Sequence, residues 1–269
     1  MKKVKIGIVG CGAIGQGLAP FIDKELSDKA VVVALADKDK RKAQILREEL
    51  SSLPEILDID TLIGETDLVI EAASIEAAEY ILEKALLFKR DVVILSVGAL
   101  IKKESVFTQA QREGIKIYIP SGAICGVDAL GALSLGEIKK ISLTTSKPPA
   151  GLAGADYLKK KDIKVEGLQQ EKVIFRGGVK EAIKSFPQNI NVAAILLLAS
   201  PFKDVQVVIK ANPFIKRNIH RIEIEAEQAR VNIEVENVPS RVNPKTSTLA
   251  ILSTKYLLKK LFSSFKIGG

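Results

Sequence analysis

The sequence predicts an α/β fold: a doubly wound parallel sheet followed by a second, α+β domain with an open sheet. Three observations carry this. Apolar runs of strand length alternate with helical stretches through roughly the first 120 residues, the pattern of βαβ units. A glycine-rich turn stands at the first strand-to-helix junction. After Pro120 the texture changes to β-rich runs interrupted by a helix.

The first strand is Val4-Lys5-Ile6-Gly7-Ile8-Val9, and Gly10-Cys11-Gly12-Ala13-Ile14-Gly15 follows directly. This is G-x-G-x-x-G where a strand turns into a helix. Gly10 allows the tight turn, Gly12 lets backbone approach a pyrophosphate, and Gly15 lets the helix pack on its strand. The N–H groups of Ala13 and Ile14 open that helix, and its positive dipole end suits phosphate oxygens. A second apolar run at 30–36 ends in Asp37, about twenty residues past the last glycine, where a ribose-binding acid belongs. The Rossmann-type reading makes Gly10, Gly12, Ala13, Ile14, Gly15 and Asp37 the cofactor-binding set. The competing reading gives the glycines packing alone and makes Asp37 a turn residue. A carboxylate at 37 favours NAD, while Lys38 and Lys40 leave NADP open.

Helical composition over 40–50, a strand at 68–71, a helix at 75–88, a strand at 91–95, a helix at 104–113 and a strand at 116–119 complete the first domain. Its ligands are expected beyond the strand C-termini, where 71–74 and 96–99 are rich in small residues. Further on, β-rich runs are predicted at 138–145, 172–175, 205–210, 219–225 and 231–235, with a helix near 191–199. Residues 148–154, Pro-Pro-Ala-Gly-Leu-Ala-Gly, read as a mobile loop. The last helical stretch, 246–262, is expected to return to the first domain. The domain expectation is therefore 1–121 for dinucleotide binding, 122–244 for substrate and dimerisation, and 245–269 packing back.

Composition excludes several function classes. An apolar fraction of 47% in 269 residues supports a folded core. Net charge is +8, but the lysines are scattered among acids and do not alternate with aromatics, so a nucleic-acid groove is not expected. No apolar span of membrane length and no signal peptide is read, and Cys11 and Cys125 are too few for a disulfide framework. The expectation is a soluble, cytoplasmic protein. One histidine and two cysteines provide no metal-ligand cluster.

His220 is that single histidine. Oxidising an alcohol or amine releases a proton, and a group titrating near neutrality takes it up best. Its run, Asn218-Ile219-His220-Arg221-Ile222-Glu223-Ile224, looks like the entry to a strand. Asn189 and Asn191 precede an apolar helix as caps or as amide ligands, and Asn243-Pro244-Lys245-Thr246-Ser247 opens the last helix similarly. Lys245, Arg217 and Arg221 are candidate partners for anionic substrate groups.

These residues resemble the L-aspartate dehydrogenase family. The resemblance spans nearly the whole chain. It rests on the glycine motif, Pro120-Ser121-Gly122-Ala123-Ile124-Cys125-Gly126, Phe186-Pro187-Gln188-Asn189-Ile190-Asn191-Val192-Ala193-Ala194, Asn218-Ile219-His220 and Asn243-Pro244-Lys245-Thr246-Ser247. It implies that His220 is the active-site residue and that Ala123 and Asn189 contact the nicotinamide end of NAD. It further implies L-aspartate as substrate, iminosuccinate as product, a homodimer, and a downstream enzyme of quinolinate-synthase type. The sequence departs from the family pattern as read here at Asn212 and Arg221, where acids often stand. The rival readings are another two-domain oxidoreductase, of dihydrodipicolinate or homoserine type, and a non-catalytic NAD-binding sensor.

Overall fold

The computed structural model describes residues 2–103, 105–186 and 191–267. The chain divides into two compact units. One runs to Gly122 and takes in Ser240–Thr246 and Ala250–Lys266; the other comprises Ala123–Pro239 and Ser247–Leu249.

The first unit begins with β1 (Val4–Val9), α1 (Ala13–Glu25), β2 (Ala30–Ala36), α2 (Lys40–Glu48), β3 (Glu55–Ile56) and α3 (Ile59–Glu65). It continues through β4 (Leu68–Glu71), α4 (Ile75–Phe88), β5 (Asp91–Ile94), a 3-10 turn, α5 (Ser105–Glu113) and β6 (Ile117–Tyr118). The strands form a six-stranded sheet in the order β3-β2-β1-β4-β5-β6, every pairing parallel. A parallel sheet needs crossover helices on its faces, so its strands are buried on both sides and read as unbroken apolar runs. Ile6, Ile8, Val32, Leu35 and Ile70 are accordingly fully buried. Helix starts follow from caps: Asp39, Asp58 and Ser74 each accept a backbone N–H of the first turn of α2, α3 and α4.

Chain order reverses at β1. β2 lies on one side of it and β4 on the other, which opens a crevice at the C-terminal ends of these strands. The glycine loop occupies that position.

The second unit holds α6 (Val127–Leu133), β7 (Ile138–Lys147), α7 (Asp156–Lys160), β8 (Lys172–Gly178), α8 (Val179–Ser185), α9 (Asn191–Leu198), β9 (Val205–Ala211), β10 (Asn218–Ala226) and β11 (Arg230–Asn237). Its sheet runs β11-β10-β7-β9-β8, antiparallel except for the β7–β9 pair. Alternation along β7, β9 and β10 sets one apolar face inward. Ile141, Leu143, Val205, Val207, Ile209, Ile222 and Ile224 are all buried. α9 is buried on nearly every side, which explains a sequence with no polar stripe. The stretch read as a mobile loop at 148–154 instead forms a short 3-10 turn, Pro149–Gly151, and anchors Leu152 at 1% exposure.

The chain then returns to the first unit as α10 (Thr248–Leu261). Leu258 is fully buried in the hydrophobic cluster formed by β1, β2 and α1, with Leu257, Leu261 and Phe262 packed against it.

Candidate active site

In the first unit, each glycine of the loop answers a different steric demand. Gly10 has φ +102°, and a Cβ there would stand 2.4 Å from Ala72 O. A Cβ on Gly15 would meet Gly10 O at 2.1 Å, so this glycine lets α1 close on the loop. Gly12 differs: a Cβ there meets nothing within 4 Å. Neither a close contact nor a positive φ requires glycine at 12, so the position is open to the approach of a ligand. Gly12 also caps α1 without a side-chain acceptor, leaving the first-turn N–H groups, those of Ala13 and Ile14 among them, for a ligand. These features fit the pyrophosphate of a dinucleotide.

Asp37 follows β2 and is tied to the same loop. Its Oδ2 accepts from Cys11 N at 2.7 Å and its Oδ1 from Asp39 N at 2.8 Å. Each oxygen keeps a lone pair, so the carboxylate can hold the loop and still accept from a ribose hydroxyl. Lys38 and Lys40 are exposed beside it. Cys11 is fully buried, and burial with the neighbouring Asp37 charge pushes its thiol up to about 12, which makes it an inert packing group. At the ends of β4 and β5, Glu71 is fully buried and accepts from Ala73 N, Leu95 N, Ser96 N and Ser96 Oγ. Burial raises its pKa against the pull of those donors. It clasps two strand ends beside the glycine loop.

In the second unit, His220 lies on β10 between β7 and β11, paired in register with Thr145 and Val235. It is 5% exposed, and its Nδ1 lies 3.0 Å from Thr145 Oγ1. Lys147, two residues past Thr145 and therefore on the same face, ends β7 at 7% exposure. The apolar face of the sheet thus finishes in a polar end, Thr145, Lys147, His220 and Asn237. Burial, and then the positive charge of Lys147, pushes the His220 imidazole down to about 3. Burial pushes the Lys147 ammonium down to about 8. At neutral pH the imidazole is neutral, with a lone pair on one ring nitrogen, and its proton affinity lies below that of the free imidazole near neutrality that the sequence led one to expect.

Asn237 ends β11 at 3% exposure. Its Nδ2 donates to Ala123 O at 3.0 Å, and its Oδ1 accepts from Ser247 Oγ at 2.7 Å. Asn237 is the register partner of Asn218, two residues from His220. Ala123 is therefore anchored to the strand end that also carries the histidine. Asn189 lies outside the described residues. Arg221 and Arg217 are exposed and pair with Glu234 and Glu236; Arg221, next in the strand to His220, points to the opposite face. Lys245 is exposed in a turn closed by Asn243 Oδ1. Asn212 binds Glu171 through Nδ2. Thr145, Lys147 and Asn237 are the residues that sequence reading missed. The available signal was the alternation Ile141-Leu143-Thr145-Lys147, an apolar face ending in a hydroxyl and an amine.

A parallel sheet with this loop, joined to a mixed sheet carrying a buried neutral histidine, defines a two-domain pyridine-nucleotide oxidoreductase. Residues 10–120 match the family model of the homoserine dehydrogenase NAD-binding domain. The scyllo-inositol dehydrogenase of Lactobacillus casei, solved with NAD(H), shares the fold at TM-score 0.56 and 17% identity, over 99% of this chain and 91% of that one. Residues 128–261 match the model of the aspartate dehydrogenase C-terminal region. The L-aspartate dehydrogenases of Methanosarcina acetivorans and Methanocaldococcus jannaschii are both 43% identical, each over 98% of this chain and 99% of theirs. The aspartate dehydrogenase structure of Thermotoga maritima aligns at TM-score 0.75 and 26% identity over 99% of this chain and all of that one. The chain belongs to the L-aspartate dehydrogenase family. No helix among the described residues is long and apolar enough to cross a membrane.

Proposed function

We propose that this protein is an NAD-dependent L-aspartate dehydrogenase in which His220 handles the proton. The single observation that carries the reading is the buried imidazole at the polar end of an apolar sheet face, neutral at physiological pH and oriented by Thr145. A bound nicotinamide nucleotide supplies hydride acceptance. Gly10, Gly12, Ala13, Ile14 and Gly15 would hold its pyrophosphate and Asp37 its ribose; Ala123, and Asn189 by family resemblance, would serve its nicotinamide end. The Asp37 carboxylate repels a 2′-phosphate, which supports NAD over NADP.

The chain's own chemistry is proton transfer. With Nδ1–H donating to Thr145 Oγ1, the Nε2 lone pair of His220 is the one that takes a proton from the substrate's amino group. Oxidation at Cα yields iminosuccinate, which a downstream synthase consumes or water converts to oxaloacetate and ammonia. Homodimerisation through the second domain belongs to the same proposal and rests on the family resemblance; a cytoplasmic location is proposed with it from the two unpaired cysteines.

Following reduced-nicotinamide absorbance tests it, with NAD or NADP and L-aspartate against D-aspartate, L-glutamate and L-homoserine. Turnover selective for L-aspartate, with higher kcat/KM on NAD, is the expected result. His220→Ala should lower kcat by about 10²-fold or more and leave nucleotide binding unchanged. Nucleotide binding without turnover of any amino acid would favour a sensor.

A further inference from the structure

We propose that Lys147 is the cation that receives a carboxylate of the substrate beside His220. The inference rests on the reading of the substrate as an amino dicarboxylate, because an anion of that class must bring its charge to the group that takes its proton.

Position is the first argument. Lys147 follows Thr145 by two residues on β7, and Thr145 is both the register partner of His220 and the group at its Nδ1. Strand alternation therefore sets Lys147 on the His220 face of the sheet. Its backbone is fixed on the other side as well: it pairs in register with Ala211 on β9, and its carbonyl accepts from Asn212 N at 2.8 Å.

Charge is the second. Three other cations were candidates from sequence, and the fold assigns two of them elsewhere. Arg217 and Arg221 are exposed and matched with Glu236 and Glu234. Lys245 stands in an exposed turn. The positive charge that acts on His220 is that of Lys147.

Chemistry is the third. A cation next to a base opposes the base's protonation, so Lys147 alone makes His220 a poorer acceptor. A carboxylate seated against the ammonium cancels that opposition. The substrate would then lift the Lys147 part of the penalty on His220, which comes after the larger part set by burial, and make the residue that deprotonates it a better acceptor while the anion is bound. A short polar side chain at 147 would serve a sheet end equally well, whereas this coupling requires a positive charge.

The test uses Lys147→Met and Lys147→Arg in the full chain, with far-UV circular dichroism and nucleotide affinity as folding controls. Succinate, a dicarboxylate with no amino group to oxidise, is the binding probe, followed by calorimetry. Lys147→Met is expected to raise the KM for L-aspartate on the order of 10²-fold and to weaken succinate binding in parallel, with nucleotide affinity unchanged. Lys147→Arg is expected to recover part of both. A KM and a succinate affinity within twofold of wild type in a folded Lys147→Met protein would overturn the proposal. The two readings separate cleanly. Wild-type chain that binds succinate through Lys147 and does not oxidise L-aspartate would sink the dehydrogenase reading alone. Turnover of L-aspartate with unchanged KM in the variant would sink the carboxylate site alone.

Discussion

A histidine sealed into a sheet carries a pH signature, because burial penalises its charged form. His220 is neutral in the folded state down to about pH 3, whereas in the unfolded chain it takes a proton near its ordinary value of 6.5. Between those values the unfolded state binds the extra proton, so this residue's contribution to stability falls as pH falls from 6.5 toward 3. The slope is about 1.4 kcal/mol per pH unit. Denaturant unfolding between pH 7 and pH 4 should show that loss, and His220→Gln should remove this part of it. Lys147 follows the same logic in the alkaline range. Its folded value near 8 lies below 10.5, so its burial penalty is fully present below pH 8 and disappears as pH rises to 10.5. Neither behaviour is legible in the sequence. His220 and Thr145 are 75 residues apart, and only strand pairing makes them neighbours.

At the scale of elements, the glycine loop separates what folding needs from what a ligand needs. Gly15→Ala drives a Cβ against the Gly10 carbonyl, a backbone atom with nowhere to go. It should cost roughly 1–3 kcal/mol and lower the melting temperature. Gly12→Ala adds its methyl to open space, so the melting temperature without ligand should stay put. Nucleotide affinity should nevertheless fall, by about tenfold or more, because the methyl occupies the approach to the pyrophosphate. Differential scanning fluorimetry with and without NAD distinguishes the two variants. Equal loss of unliganded stability in both would show that the loop is a packing device only. The strands around this loop were legible because apolar runs such as 4–9 and 30–36 leave no other reading. β3, with two residues, and α3 were not, since Glu55–Ile56 is too short to show a period.

At the scale of the whole molecule, the first unit is discontinuous in sequence. α10 comes back after the second unit has been built, and Leu258 fills a site in the cluster shared by β1, β2 and α1. Gly17 on α1 lies against Ile251, with room for no methyl: a Cβ there would stand 2.5 Å from Ile251 Cγ2. Leu258→Ala should therefore destabilise the nucleotide-binding unit by about 2–5 kcal/mol, although it lies far along the chain from the loop. Guanidinium unfolding with and without NAD checks this: the variant's midpoint should fall, and saturating nucleotide should recover part of the loss.

By itself the sequence determined the succession of strands and helices, the glycine turn with its acid at Asp37, and the singular histidine. These are local: each depends on residues within a few positions, through periodicity, turn sterics and helix-end chemistry. Only the tertiary structure decided what surrounds His220. Thr145 bonds it from the neighbouring strand, Lys147 shares its face and its field, and Asn237 at the end of β11 ties Ala123 to the same strand end. The physical reason is that a sheet sets neighbours by register. Register follows from which faces bury together across the whole domain, and no window of sequence contains it.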